Sequence, residues 1–339
     1  MKKIIIVMLF NMIALQAFAA VQPKVRVAVL NFGTVNWEID VIRHHKLDQK
    51  YNVSLDVMPV AGKNAAAVAM QGGAVDIIYS DWVWVNRQRH NGKAYSFSAV
   101  SAATGGVFVQ ADSSVRSIID FKGERFGVAG GPVDKSWLIL QAYSKRALGM
   151  DFQSQVEPVF AAPPLLNKLM YDGKLPAVIN FWHYSARLRA QGFRPVIQVS
   201  EILENLGLES SLPVVGWVFD EQWARTNHEA ISGFLQASKE ARKILRNSDA
   251  EWERIRPLLH AENEQIFREL RDRYRQGAVQ EISPDHLQSL AKLYAILAQE
   301  GGKKLTGGAS TLDLSGFWTA PLNEVSAARL QDRQRGVQQ

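Results

Sequence analysis

In the run VDIIYSDWVWV, residues 75–85, a carboxylate at Asp81 and a hydroxyl at Ser80 stand beside two indoles, Trp82 and Trp84. Tryptophan has an apolar body and one polar edge, so it favours places where part of a side chain stays wet. A carboxylate among aromatic faces suits an organic cation, and an aspartate just before a helix suits capping. Similar mixtures recur at the ends of other short apolar runs. Asn31, Thr34, Asn36 and Trp37 follow the first run, and Lys63 and Asn64 follow the second. Further along come Asp134, Lys135, Ser136 and Trp137, then Asn180, Trp182, His183 and Tyr184, with Trp217 inside a later run. Indole walls with a few polar heads predict a binding cleft for a small organic solute with a flat or methylated body. Structural roles compete for the same residues: Asp81 and Asp134 as caps, Trp84 as core, Trp217 as packing, His183 as a hydrogen-bonding residue.

Covalent and metal chemistry find little support. The chain has no cysteine, which excludes thiolate, disulfide and lipid-anchor chemistry. No Gly-x-Ser-x-Gly, His-Glu-x-x-His or dinucleotide fingerprint occurs, so no catalytic residue is expected. AGGPVDKSW, residues 129–137, fails as a phosphate loop because Ala129 and Asp134 occupy both glycine positions. A helix starting there still offers backbone N–H groups to a sulfonate or carboxylate. His44 and His45 are neighbours on an expected helix and point about 100° apart, which makes no metal face. No metal or other cofactor is expected.

The elements that must hold these residues alternate. KVRVAVL (24–30), SLDVMPV (54–60), VDIIYS (75–80), FSAVSA (97–102) and GVFVQA (106–111) read as strands, with helices between them. The pattern restarts with a strand at 125–130, a helix at about 134–148, then VEPVFAA, AVINFW and RPVIQV. PVVGWVF (213–219) returns to strand, and the remainder is nearly all helix. This order predicts an α/β protein of two lobes joined by two crossing strands. One lobe takes residues 20–110 and a return segment 213–320, the other takes 111–212, and 321–339 form a polar tail. The glycines Gly105, Gly106 and Gly216 near the crossings suggest a hinge.

MKKIIIVMLFNMIALQAFAA has two lysines, an apolar core too short to span a bilayer, and a small-x-small end at Ala17–Ala19. It reads as a signal peptide, residues 1–19, directing a cleaved chain outside the cytoplasm. Without Lys2 and Lys3 the formal charge falls from +6 to +4, spread along the chain, which gives no basic stripe for nucleic acid.

AVAMQGGAVDIIYSDW is similar to the helix–Gly–x–x–Asp–strand stretch of periplasmic solute-binding proteins. SSVRSIIDFKGERFGVAGG resembles the passage that opens their second lobe, at Ser114, Ser117, Asp120, Phe121, Lys122, Gly123 and Val128. The branch resembled includes alkanesulfonate-, taurine-, nitrate- and thiamine-pyrimidine-binding proteins. KLPA, residues 174–177, departs from that family's usual Gly-x-x-Asp-Ala. The resemblance implies a type II periplasmic-binding-protein fold, a periplasmic location and a monomer. It also implies a small organic solute held between the lobes and a partner ABC transporter permease with its cytoplasmic ATPase. A sensor of the same fold, or an enzyme like the pyrimidine synthases, are the rival readings.

Overall fold

The computed structural model describes residues 22–279 and 281–318. The expected signal peptide and the tail from 321 lie outside the described residues. Among those described, no helix is long and apolar enough to cross a membrane.

Two five-stranded sheets organise the chain, as the alternation predicts. The first contains β1 (Lys24–Leu30), β2 (Ser54–Val60), β3 (Ile77–Ser80), β4 (Tyr95–Ser101) and β10 (Val215–Asp220), in the order β2-β1-β3-β10-β4. The second contains β5 (Gly106–Val109), β6 (Glu124–Ala129), β7 (Val156–Ala161), β8 (Ala177–Asn180) and β9 (Arg194–Gln198), in the order β7-β6-β8-β5-β9. The two orders are the same pattern used twice. In each sheet three parallel strands are followed by an antiparallel one: β10 against β3 and β4, β5 against β8 and β9.

Burial follows position in the sheet. β5 and β8 are buried at every residue, whereas the edge strand β2 alternates. That contrast is expected of strands covered on both faces and of an edge. Gly105, Gly106 and Gly216 prove to be close-approach residues rather than freely turning ones. A Cβ at Gly105 would lie 1.8 Å from the Asn180 carbonyl oxygen, and one at Gly216 would lie 2.1 Å from that of Ser98. They are glycine because a neighbouring backbone fills the space.

The C-terminal helices join the two sheets. Helix Pro284–Thr306 packs on helix Lys135–Leu148 of the second sheet's layer, where Lys145 Nζ meets Glu300 Oε2 at 2.7 Å. On the other side, helix Glu264–Gly277 packs on helix Trp182–Ala190, and Arg187 Nη1 meets Glu262 Oε2 at 2.6 Å. One apolar core runs continuously from Trp82 and Tyr95 through Leu290 and Tyr294 to Trp137 and Phe152. The two layers therefore meet on both flanks of the gap between them.

Candidate functional site

The gap is a cavity of about 190 Å³, lined from both sheets. Leu30, Thr34, Val35, Lys63, Tyr79 and Ser80 face it from the first, and Asp134, Lys135, Ser136, Ile139, Phe181, Trp182 and His183 from the second. Val199, Leu203, Val215 and Leu293 complete a mostly apolar wall. A wider, more open space of about 550 Å³ adjoins it, sharing Leu30, Lys63, Asp134, Lys135 and Phe181, and adding Asn64, Asp81 and Trp84. The lining belongs to the carboxyl ends of the strands, where open α/β sheets leave a crevice.

Four charges straddle the gap. Asp81 follows β3 and caps helix Trp82–His90, its Oδ1 accepting from the Trp84 N–H at 2.9 Å. Its Oδ2 accepts from Lys135 Nζ at 2.9 Å, reaching over from the other sheet, with Lys63 Nζ 3.8 Å away. Burial pushes the Asp81 carboxyl up, but Lys135 and Lys63 outweigh it and hold the group at about 2. Asp134 caps its own helix, accepting from the Ser136 N–H at 2.9 Å. Burial raises that carboxyl, and the same two lysines do not fully offset it. The Lys135 ammonium pushes the Lys63 amine down. Burial opposes the charge on Lys135, yet Asp81 and Asp134 more than restore it. Both aspartates are thus caps and members of an ion cluster at once.

His183 is the only histidine on the cavity wall among the described residues. Its Nδ1 is buried without a hydrogen-bond partner. Burial, with the Arg187 guanidinium nearby, pushes the imidazole down to about 3, so it is neutral at ordinary pH. Buried polar atoms are nearly always paired, and an orphan on a cavity wall asks for a ligand atom.

The expected indole walls need correction. Trp82 is only 2 % exposed and points away from the gap, donating its indole N–H to the Pro213 carbonyl at 2.8 Å and packing near Tyr294 and Phe317. Trp137 is buried among Phe126, Phe152 and Phe160. Trp217 lies inside the first sheet's layer, bonded to Ser238 Oγ at 2.7 Å, and Trp37 bonds to the Leu258 carbonyl. These four are core, each buried to 5 % exposure or less. Trp182 does face the cavity, edge-on to Trp37 with ring centroids 6.1 Å apart. Trp84 borders the outer space and stacks on Tyr95.

The amides are also mostly structural. Asn36 Nδ2 donates to the Leu30 and Gly33 carbonyls at 2.8 Å, folding the first loop. Asn180 is buried and holds Asn167 and the Pro163 carbonyl. Asn31 is exposed, with its backbone N–H on the Val60 carbonyl, and Tyr184 packs on the His183 ring. None of these four borders either cavity. Residue-type reasoning missed Leu30, Tyr79, Ile139, Phe181 and Leu293. Phe181 and Leu30 end or follow strands and were available to a rule that weighs position above polarity.

A family described as "NMT1/THI5 like" matches residues 49–251. No curated protein matches the chain by sequence. Solved structures share the fold. The alkanesulfonate-binding protein SsuA of Xanthomonas axonopodis pv. citri, bound to MOPS, superposes with a TM-score of 0.66 at 15% identity, over 89% of this chain and 100% of that one. The periplasmic aliphatic sulphonate binding protein SsuA of Escherichia coli gives 0.69 at 14% identity, over 88% and 94%. The desulfurization enzyme DSZB gives 0.59 at 16% identity, over 88% and 97%. The expected periplasmic-binding-protein fold is confirmed.

Proposed function

The chain belongs to the NMT1/THI5-like family, and we propose that it is an extracytoplasmic solute-binding protein that closes two lobes over a small organic ligand and delivers it to an ABC importer permease. The observation that carries this reading is the apolar cavity drawn from both sheets, with the orphaned Nδ1 of His183 on its wall. An apolar lining with a few convergent polar groups is what small-molecule sites look like. The ligand has an apolar body against Phe181, Trp182 and Leu293, and one polar group that meets His183.

A charged head would enter the cluster of two lysines and two aspartates. Lys63 is half exposed and 3.8 Å from its nearest carboxylate, so it is the cation freest to take an anion. Alkyl and aryl sulfonates are therefore the first compounds to test, in keeping with the sulfonate-binding neighbours. Turnover is disfavoured, since the chain lacks cysteine and an imidazole held near 3 is a poor base at neutral pH.

The test is mass spectrometry of small molecules released from protein purified from its native host, followed by titration of intrinsic fluorescence. An apolar-bodied compound that binds at one equivalent is expected. Protein that purifies empty and gives no response to sulfonates, amines or pyrimidines would refute the reading.

A further inference from the structure

On the surface of the first sheet's layer, away from the cavity, two histidines and a glutamate converge. Helix Val35–His44 ends at His44, and His45 leaves helical geometry with φ −86 and ψ 4. Adjacent histidines leave a helix in diverging directions, yet here their rings come together at its end. Their rings lie edge to face with centroids 4.9 Å apart. Helix Asp249–Leu259 then brings Glu251 up from beneath, with its Oε2 3.0 Å from His45 Nε2. One ligand atom from each of the three residues falls within 4.8 Å of the others.

We propose that His44, His45 and Glu251 form a binding site for a divalent first-row transition metal ion with nitrogen and oxygen ligands, such as zinc. Bonds of about 2.0–2.1 Å in a tetrahedral site put ligand atoms roughly 3.3 Å apart. The His45–Glu251 pair, at 3.0 Å, comes close to that spacing, and exposed His44 offers a ring nitrogen within 4.8 Å of both. Glu251 is prepared for the role. Arg254 grips the other oxygen, Oε1, with Nε at 2.9 Å and Nη2 at 2.6 Å, while Asp40 shares the guanidinium and balances its charge. A ligating carboxylate oriented through its second oxygen is the usual support for a metal ligand. Three protein ligands leave a fourth position for water.

The ion would fasten the helix that starts at the cavity wall, Thr34–Val35, to the C-terminal helical segment. The experiment is calorimetric titration of the untagged chain with zinc chloride, with melting followed in parallel. About one equivalent should bind and raise the melting temperature. His44→Ala and His45→Ala should each weaken uptake at least about tenfold, and Glu251→Gln should do so as well. His44 is exposed, so its variant tests the site even if Glu251→Gln folds poorly. Absence of binding at millimolar zinc, or uptake unchanged in the double histidine variant, overturns the proposal. Solute binding in the cavity should be the same in His44→Ala, which keeps this test separate from that of the cleft.

Discussion

Trp82 and Trp182 each open a nine-residue helix directly after the central strand of a sheet, β3 in one and β8 in the other. Ser80-Asp81-Trp82 and Asn180-Phe181-Trp182 are the same structural corner built twice. Yet Trp82 is sealed beneath Tyr294 and Phe317, elements more than 200 residues further along, whereas Trp182 faces the gap. The caps differ as well. Asp81 secures its helix through a side-chain hydrogen bond, and Phe181 secures nothing but contributes a ring to the cavity wall. One corner is packed under the C-terminal elements, and the other opens on the gap.

The largest effect that could break this contrast is Trp82→Ala. Removing a fully buried indole and its hydrogen bond should cost about 3–5 kcal/mol of stability, read by denaturant unfolding. Melting close to wild type would mean that Trp82 is not core. Next comes the charge at the same corner. Because the folded Asp81 carboxyl is depressed from 3.8 to about 2, its contribution is complete above pH 4 and disappears as pH falls towards 2. Roughly 2 kcal/mol should be lost over that window, and Asp81→Asn should lack the step. An identical acid profile for both proteins would show that Lys135 does not stabilise the carboxylate.

Smaller still is Trp182→Ala, which should weaken solute binding by about 1–2 kcal/mol while moving the melting point less than Trp82→Ala does. Equal affinity in a folded variant would move the ligand elsewhere. The smallest expected effect is none. His183 stays neutral above its value of about 3, so its protonation should leave affinity flat between pH 5 and 8. An affinity step near pH 6.5 that vanishes in His183→Asn would contradict a neutral imidazole. For stability the sign is the same as for Asp81: a depressed pKa means loss on acidification, here from about 6.5 downward.

Local patterns carried the fold well. β1 and β2 begin and end where alternation places them, and both cap aspartates are caps, because strand period and capping depend on nearby residues. The direction of an indole at a strand end does not. Trp82 and Trp182 have similar neighbours in sequence, and only the helix Pro284–Thr306 and the turn at Phe317 decide which one is covered. The Asp81–Lys135 pair was equally illegible as a pair, since its members are 54 positions apart on different sheets. Both residues were candidates, but their contact depends on how the lobes meet.

The late return of β10 to the first sheet has a consequence for how the chain acquires its structure. All five strands of the second sheet lie between Gly106 and Gln198, so that sheet can assemble from one contiguous stretch. The first cannot. Its β3 and β4 are held apart by a vacant slot until β10 arrives from Val215 onward, and both would present unpaired edges meanwhile. Pairings of such long sequence separation form late and leave a nascent chain open to aggregation. Pulse-labelling hydrogen exchange during refolding should therefore protect the amides of β6 and β8 before those of β3 and β4. The opposite order would mean that the first sheet tolerates its empty middle.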